Sequence, residues 1–278
     1  MTTVPGKLYL VATPIGNLND ISLRALETLR SVDVIACEDT RHSRKLLNAF
    51  EIAAKTISYH EHNELERSAE LVKKIIAGAS VAVVSDAGTP AVNDPGYRLV
   101  VECIAGGIDV VPIPGPVAFV AAAIVSGLPT DALYFGGFLP SKRTDRRRAL
   151  ESVRLLGSTL LFYESPHRLA AALADCIEIL GDRRAAAIRE LTKLHEEAVR
   201  GRLSEIAAHF AAVPPKGEFV LAIDRSGDDD PRPVAVSGEL ETLVTAYETA
   251  GLDRRSAMKK AARELGISRS EAYRLLQQ

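Results

Sequence analysis

Short apolar, β-branched runs alternate with stretches of helical periodicity along the first part of the chain. The runs that predict buried strands are Lys7–Ala12, Val32–Cys37, Val81–Ser85 and Asp109–Ile113. Between them, Leu23–Leu29 and Leu65–Ala77 carry apolar residues at the spacing of an amphipathic helix. This alternation predicts an α/β fold with a mostly parallel sheet that helices cover on both faces.

The alternation resumes after the proline-rich segment 112–116. The predicted strands of this second set are Leu133–Phe138, Thr159–Glu164, Arg184–Glu190 and Glu218–Asp224. The predicted helices are Arg146–Leu156, Leu169–Leu180 and Leu203–Ala211. Arg225–Pro233 is polar, acidic and rich in proline, so we interpret it as a linker. The sequence therefore predicts two αβ domains, residues 1–115 and 116–225, and a small helical domain at 234–278.

Composition and charge narrow the class of protein. Of 278 residues, 47% are hydrophobic and 25% are charged, as in a soluble globular chain, and the apolar runs are too short for a membrane span. Three widely spaced cysteines argue against a disulfide framework, so we expect a reducing, cytoplasmic location without a membrane partner. The net charge is only −2, yet Ser141–Arg148 (SKRTDRRR) has five basic residues against one acid. Such a cluster suits docking on phosphates, although a solvated helix face gives the same pattern.

The C-terminal appendage is basic as well. Gly251–Gln278 carries seven basic residues against three acids, and Ser268–Glu271 fits a helix capping box. Together with the turn at Gly266, the pattern resembles a helix-turn-helix hairpin. Packing of three helices explains its apolar positions equally well, but Arg269 and Arg274 favour contact with RNA.

Four loops share one design, in which a strand ends, a sharp turn follows and a helix begins. They are Ala12–Leu18, Ser85–Pro90, Pro112–Pro116 and Tyr163–Arg168. Ligands of open αβ sheets bind at such carboxyl ends of strands. The first loop lacks the glycine pattern of a phosphate cradle, so we expect no NAD or ATP site there and favour a cofactor without phosphates. In the last loop, Ser165 is a suitable N-cap and Pro166 a suitable first helical residue.

A metal site is not expected. His60 and His62 lie on one short segment, and no third ligand is evident from the sequence.

Nine motifs, in order from Leu8 to about Ile223, carry a resemblance to a known family. The sequence resembles the ribosomal RNA small subunit methyltransferase I family, which belongs to the tetrapyrrole-methylase-like (class III) methyltransferases. The motifs are LYLVATPIGNLNDISLRALETL, ACEDTRHSRKLL, SYHEHNE, VVSDAGTPAVNDPGYRLV, VVPIPGPVAFVAA, GLPTDALYFGGFLP, LFYESPHRL, RELTKLHEE and KGEFVLAI. The sequence departs slightly from the family pattern at Val117 and at 91–93, positions that concern individual cofactor contacts.

The resemblance implies a fold of two αβ domains with a cofactor cleft between them, and S-adenosylmethionine as the cofactor. It also implies a homodimer that methylates the ribose 2′-hydroxyl of a cytidine in the decoding region of small-subunit ribosomal RNA, within the small ribosomal subunit. Carried over residue by residue, the cofactor contacts fall on Pro14, Asp86, Thr89, Val117, Ala118, Phe162, Leu191 and Gly217.

Residues for catalysis and RNA contact follow from the charged motifs. Candidates for a base, or for orienting the ribose, are Glu164, His167, Glu190, Lys193, Glu196 and Glu197, of which we favour Glu190 and Lys193. Glu38 and Asp39 are candidates for contacting ribose or phosphate. Candidates for RNA contact are Arg41, Arg44, Arg146, Arg147, Arg148, Arg269 and Arg274. A structural ion-pair network is the competing interpretation of each residue.

Two other functions stay open at this point. A tetrapyrrole (precorrin-type) methyltransferase would share the fold, but it has no need of the basic segments. A non-catalytic, RNA-binding ribosome assembly factor needs only the appendage, and it has no need of the loops at the strand ends.

Overall fold

The computed structural model describes residues 5–225, 231–265, 267, 272–273 and 275–276. These residues form two five-stranded sheets, each flanked by helices, and so the α/β fold predicted from the sequence is confirmed. Two compact units divide the chain. The first comprises residues 1–126, 188–198 and 216–220, and the second comprises residues 127–187, 199–215 and 221–278.

The first sheet has the strand order β3-β2-β4-β1-β5, and all four of its strand pairs are parallel. Its strands are β1 (Leu8–Val11), β2 (Val34–Cys37), β3 (Thr56–Ser58), β4 (Val81–Val84) and β5 (Val110–Ile113). Its helices are α1 (Leu23–Ser31), α2 (Thr40–Ala49), α3 (Glu64–Ile76), α4 (Tyr97–Ala105) and α5 (Ala118–Ser126). The sequence did not predict β3, α2 or α4.

Alternation along the strands produces two separate cores. On β2, Val34 and Ala36 pack into one cluster with residues of α3 and α4, while Ile35 and Cys37 pack into another with residues of α1. Successive side chains of a strand point to opposite faces of its sheet, so the two clusters lie on opposite faces. Helices therefore cover the sheet on both faces, as predicted.

The second sheet has the strand order β6-β7-β10-β8-β9. Its strands are β6 (Leu133–Phe138), β7 (Thr159–Glu164), β8 (Arg184–Arg189), β9 (Glu197–Arg202) and β10 (Phe219–Ile223). Its helices are α6 (Arg143–Val153), α7 (Pro166–Leu180) and α8 (Leu203–Ala212). Helix α7 begins at Pro166 with Ser165 at the N-cap position, as predicted, although the Ser165 side chain makes no capping hydrogen bond. The polar strand β9 was not predicted.

The division into units differs in detail from the predicted domain boundaries. Helix α5 groups with the first unit, so the division falls after Ser126 rather than after Gly115. The end of β8 and the start of β10 also group with the first unit. The proposed boundaries at 115 and 225 therefore describe the order of elements along the chain rather than its compact units.

The appendage contains α9 (Pro231–Thr249) and α10 (Arg254–Glu264). Helix α9 begins inside the segment predicted as a linker. Its Leu240 and Val244 pack with Met258 of α10 and with Leu275 in one apolar cluster. This packing accounts for the apolar pattern of the appendage. The predicted capping box and the predicted RNA contacts Arg269 and Arg274 lie outside the described residues.

Across the described ranges, the helices are all too short or too polar to span a bilayer.

Candidate functional site

Three of the four strand-end loops meet in the first unit. Thr13 and Gly88 form an isolated antiparallel bridge, in which the Thr13 N–H donates to the Gly88 carbonyl at 2.8 Å and the Gly88 N–H donates back at 3.1 Å. This bridge fixes the loop after β1 to the loop after β4. The Thr89 hydroxyl donates to the Pro116 carbonyl at 3.3 Å, which links the loop after β4 to the loop after β5.

Close approach of Gly115 to Ala12 completes this arrangement. A Cβ built on Gly115 would lie 2.8 Å from the Ala12 Cβ, so a side chain at 115 would push the first and third loops apart. The three loops therefore form one continuous surface at the carboxyl edge of a parallel sheet, where ligands of αβ proteins bind.

A fourth segment, the 190–196 turn, packs against the first loop within the same unit. A Cβ on Gly16 would lie 2.5 Å from Lys193 Cγ and 2.9 Å from the Leu191 carbonyl oxygen. The turn contains two non-glycine residues with positive φ, Glu190 at 52° and Thr192 at 64°. Backbone conformations of this kind persist only where surrounding contacts hold them. The turn is therefore tightly built, and it limits the space beside the first loop.

The Glu190 carboxylate is the centre of the contacts that hold this turn. Glu190 Oε1 accepts hydrogen bonds from Lys193 Nζ at 3.0 Å and from the Glu218 N–H at 3.2 Å. Burial raises the pKa of Glu190, but Lys193 and the Glu218 N–H outweigh that effect, so the pKa lies below its ordinary value. For Lys193, the ion pairs with Glu190 and Glu218 outweigh burial and raise the pKa. Both predicted catalytic residues are thus charged and paired, an arrangement that suits orientation better than proton abstraction.

Three carboxylates lie together at the ends of β2 and β4. Asp86 accepts a hydrogen bond from the Asp39 N–H at 3.1 Å, and Glu38 accepts one from the backbone of Asp86. Asp94 accepts a hydrogen bond from the Ser85 side chain. Burial, followed by repulsion from Glu38, raises the pKa of Asp94 to about 6. Burial and repulsion from Asp86 likewise raise the pKa of Glu38. This part of the site therefore favours a proton or a cation.

Asp94 was missed by the analysis of the sequence. It lies in the segment Asn93-Asp94-Pro95-Gly96, which looks like an ordinary turn. A second acid only eight residues after Asp86 was the available signal, because both follow the same strand. Positive φ values at Ala91 (65°) and Asn93 (62°) bend the chain back toward the strand end.

The structure brings most of the expected cofactor contacts together. Seven of them belong to the linked loops, the start of α5 or the segments around the 190–196 turn of the first unit: Pro14, Asp86, Thr89, Val117, Ala118, Leu191 and Gly217. Phe162 belongs to the second unit, where it is buried and packs edge to face on Tyr134 at a centroid distance of 6.3 Å. The assignment of these residues to a cofactor stays a prediction.

The remaining candidates for a base are placed less favourably. Glu164 is buried, so its carboxylate does not face solvent, and burial raises its pKa. Glu196 accepts a hydrogen bond from the Thr192 N–H at 2.6 Å, and Glu197 forms an ion pair with Arg189 at 2.6 Å. These two carboxylates have structural partners. His167 is exposed at the start of α7.

The basic segment 141–148 divides into structural and exposed residues. Arg146 is buried, and its guanidinium contacts the buried Asp175 carboxylate at 2.6 Å. It also donates to the Ser141 carbonyl at 3.2 Å. The Arg146 side chain is only 6% exposed and has little surface to offer a phosphate, so its burial argues against the prediction that Arg146 contacts RNA. Arg147 forms an ion pair with Glu178, whereas the Arg148 side chain is 82% exposed.

The other predicted RNA contacts of the described chain are exposed. Arg41 pairs with Asp39 at 2.9 Å, yet its side chain is 87% exposed. Arg44 lies on the same helix, α2, and is also exposed. Both stay predictions. In the part of the chain that the structure describes, no group of three or more His, Cys, Asp or Glu side chains is arranged to hold a metal ion.

Comparisons with known proteins agree with this arrangement. A family model described as tetrapyrrole (corrin/porphyrin) methylases matches residues 7–207. The chain is 47% identical over 276 residues to "Ribosomal RNA small subunit methyltransferase I" of Halalkalibacterium halodurans, covering 98% of this chain and 95% of that protein. It is 46% identical to the protein of the same name from Synechocystis sp., covering 97% of each chain.

Among solved structures, the chain is similar in fold to uroporphyrin-III C-methyltransferase from Thermus thermophilus, which was crystallised with S-adenosyl homocysteine. The TM-score is 0.54 at 20% identity, and the match covers 78% of this chain and 97% of that chain. At this level of identity, the similarity shows the fold alone.

Proposed function

This chain belongs to the ribosomal RNA small subunit methyltransferase I group of the tetrapyrrole methylase family, and on that premise we propose that it methylates small-subunit ribosomal RNA. The acceptor in this proposal is the 2′-hydroxyl of a cytidine in the decoding region of 16S rRNA, and the methyl donor is S-adenosylmethionine. The observation that carries the proposal is the linkage of three strand-end loops and the 190–196 turn into one surface that includes Asp86.

The residues present fit S-adenosylmethionine. This cofactor carries positive charge on its sulfonium and amino groups, and Glu38, Asp86 and Asp94 lie together at two strand ends. A cation there would offset the burial and the mutual repulsion that raise the pKa of Glu38 and Asp94. The first loop lacks the glycine pattern of a phosphate cradle, which agrees with a cofactor without phosphates. A relative in fold was crystallised with S-adenosyl homocysteine, which supports the same choice.

When bound, S-adenosylmethionine would supply an electrophilic methyl group to the ribose oxygen. The chain's own residues hold the reactants and accept the proton of the ribose hydroxyl. We assign Asp86, Thr89 and the backbones of the linked loops to binding. Glu190 and Lys193 orient the site, because their ion pair fixes the 190–196 turn against the first loop.

A ribose hydroxyl is a weak acid, so a nearby proton acceptor assists its attack. An efficient acceptor ionises near the working pH. The pKa of Asp94 is about 6, whereas Lys193 holds the pKa of Glu190 below its ordinary value. Asp94 is therefore a better candidate for the acceptor than Glu190.

The test is methyl transfer from a methyl-labelled cofactor to small ribosomal subunits, free small-subunit rRNA and a tetrapyrrole, measured side by side. We expect label in rRNA, with the subunit as the better acceptor. Because a 2′-O-methyl group blocks the ribose oxygen as a nucleophile, the modified linkage should resist alkaline cleavage. Mass spectrometry of the resistant dinucleotide identifies the nucleoside.

The other outcomes decide between functions. Label on a base contradicts the ribose assignment but leaves rRNA methylation intact. Label in the tetrapyrrole alone favours the precorrin-type enzyme. RNA binding without any transfer favours a non-catalytic assembly factor.

We also propose a cytoplasmic homodimer. The three cysteines, Cys37, Cys103 and Cys176, are free and buried, which agrees with a reducing compartment. Helix α4 presents Tyr97, Val101 and Ile104 to solvent, with residue exposures of 74%, 46% and 64%. These residues are spaced at i, i+4 and i+7, so they form one apolar stripe of the kind that marks a protein interface.

A further inference from the structure

Strand β6 contains an irregularity that changes the direction of Phe138. Phe135 pairs with Leu161 and Phe138 pairs with Tyr163, so three steps along β6 match two steps along β7. In a regular strand, residues three apart point to opposite faces. The extra residue forms a bulge that returns Phe138 to the same face as Phe135.

Two glycines hold this bulge in place. Gly137 has a φ of 63°, in the left-handed region that glycine adopts without strain. A Cβ on Gly136 would lie 2.4 Å from the ring of the buried Phe162. A side chain at 136 would clash with Phe162, and one at 137 would strain the backbone, so both glycines favour the bulge that sets the direction of Phe138.

The bulge places three aromatic residues together, and we call Phe135, Phe138 and Tyr163 the aromatic cluster. Tyr163 makes edge-to-face contacts with both phenylalanines, at centroid distances of 4.9 Å to Phe135 and 5.4 Å to Phe138. Phe138 is nevertheless 51% exposed. The cluster thus offers solvent the large aromatic ring of Phe138, which packs on Tyr163.

Positive charge follows directly along the chain. Lys142 and Arg143 lie at the start of α6, and the Arg143 side chain stays 69% exposed although it pairs with Asp175. The connecting segment 139–141 is held by two buried or half-buried arginines. Arg168 donates to the Leu139 carbonyl, and Arg146 donates to the Ser141 carbonyl at 3.2 Å. These two hydrogen bonds therefore hold the segment that joins the exposed ring to the cations.

We propose that Phe138 stacks on an unpaired base of the RNA substrate while Lys142 and Arg143 contact the adjacent phosphates. Single-stranded RNA matches this surface, because every base has a π-face for an aromatic ring and every linkage carries a negative charge. A purely apolar protein partner would leave the cations unmatched. The inference rests on the proposed function and extends it, since it assigns the second unit a surface for single-stranded RNA.

The test compares Phe138→Leu with Phe138→Trp and with Leu133→Ala. Leu keeps the apolar volume and removes the π-face, Trp keeps a π-face, and Leu133 is a partly exposed residue at the opposite end of β6. The probes are a short, fluorescently labelled single-stranded RNA and the same RNA with abasic sugars. Phe138→Leu should weaken binding of the intact RNA about tenfold, the scale of one lost stacking contact. Phe138→Trp and Leu133→Ala should bind like the wild type.

The abasic probe isolates stacking from charge. The wild type should lose about tenfold on changing from intact to abasic RNA, whereas Phe138→Leu should distinguish the two probes little. Cofactor affinity, measured by calorimetry, should not change in any variant. The stacking role would be overturned if Phe138→Leu lost the same affinity for the intact and the abasic RNA. It would also be overturned if Phe138→Leu bound intact RNA as tightly as the wild type does.

Two further outcomes separate this inference from the proposed function. A change in sedimentation of Phe138→Leu would assign the surface to a protein contact and overturn the inference. If the wild type methylates rRNA and Phe138→Leu binds RNA normally, only the docking surface is wrong. If the wild type methylates no RNA at all, the proposed function fails whatever this variant does.

Discussion

The Glu190 carboxylate occupies the space beside Gly217, so a side chain at 217 would displace that carboxylate from its partners. A Cβ on Gly217 would lie 2.4 Å from Glu190 Oε1, and the φ of Gly217 is +81°. The same carboxylate oxygen accepts the hydrogen bonds from Lys193 Nζ and the Glu218 N–H. This contact therefore connects the start of β10 to the 190–196 turn, and through that turn to the first loop.

We predict that Gly217→Ala destabilises the protein and weakens cofactor binding. The left-handed backbone and the clash with Glu190 together should cost about 2–4 kcal/mol in the free energy of unfolding. Urea denaturation measures this loss, and calorimetry measures the affinity for S-adenosylmethionine.

Gly107 is the matched control. Its φ is +68°, but nothing lies within 4 Å of a Cβ built there. Gly107→Ala should cost only about 1 kcal/mol, the backbone contribution alone, and leave cofactor binding unchanged. Equal losses for the two variants would contradict a special role for the contact with Glu190.

Replacement by alanine should lower the unfolding free energy at Arg146 but hardly change it at Arg148. Arg146→Ala leaves the buried Asp175 carboxylate short of its closest partner, although Arg143 lies 3.2 Å away. A loss of about 2–3 kcal/mol in unfolding free energy is expected, somewhat less than for a buried charge left wholly unpaired. Arg148→Ala should change stability by no more than about 0.5 kcal/mol.

For RNA binding the order should be reversed, with a larger effect at the exposed Arg148 than at the buried Arg146. Arg148→Ala should weaken rRNA binding and reduce the slope of log affinity against log salt by about 1, because each phosphate contact releases a counterion. A folded Arg146→Ala protein should keep the full slope. If Arg148→Ala keeps it as well, Arg148 belongs to a solvated helix face.

The contrast between these arginines shows where the sequence is informative. The run of cations correctly indicated a basic helix. Helical spacing indicates which of its arginines faces the core. Arg146 lies four residues before the buried Leu150, on the face of α6 that packs inward. The sequence could not identify Asp175, the acid on another helix that pairs with Arg146 and stabilises its buried charge.

The fold and the loops of the site likewise include features that the sequence predicts and features that it does not. The alternation of strands and helices predicted the parallel sheet, and its strand-end loops therefore had to share one edge. The strands β3 and β9 were missed because they are short or polar and sit at sheet edges. The packing of the 190–196 turn against Gly16 joins distant segments, and no local pattern encodes such a contact.

Asp86 should contribute to cofactor binding mainly through its charge. We predict that Asp86→Ala weakens S-adenosylmethionine binding by about 1–3 kcal/mol in calorimetry, the range for losing a charged hydrogen-bond partner. Asp86→Asn separates two effects, because an amide oxygen can still accept from the Asp39 N–H. Similar losses in both variants indicate a role for charge. Unchanged affinity in both removes Asp86 from the site.

The raised pKa of Asp94 makes stability depend on pH. The unfolded carboxyl ionises near its ordinary value of 3.8, whereas the folded one ionises near 6. Folding therefore favours the protonated form, and stability decreases as pH rises between these two values. Above about pH 6 the destabilisation is complete. Asp94→Asn should then be more stable than the wild type by about 1 kcal/mol, a value reduced for the partial exposure of the carboxyl.

Denaturation at pH 4 and pH 7.5 measures this difference, which should be small at the lower pH. Asp20→Asn, at an exposed aspartate, should show no such dependence. If Asp94 is also the proton acceptor, the stabilised variant should lose turnover at saturating cofactor, beyond the loss that weaker cofactor binding explains. Higher stability with full turnover would restrict Asp94 to a structural role.

The apolar stripe on α4 should control the oligomeric state. Ile104 is 64% exposed and lies on the stripe with Tyr97 and Val101, while Leu99 and Cys103 of the same helix are buried. A charge on this stripe would have to lose water in a dimer interface without a partner. We therefore predict that Ile104→Glu converts the homodimer to a folded monomer in analytical ultracentrifugation.

Leu65→Glu is the matched control, because Leu65 is 66% exposed but lies on α3. Both substitutions place one negative charge at an exposed apolar position, so a general effect of charge or solubility would appear in both. Only Ile104→Glu should change the sedimentation coefficient, and thermal melting should show both variants folded. A dimer that survives Ile104→Glu, or dissociates equally in Leu65→Glu, would place the interface elsewhere than on this stripe.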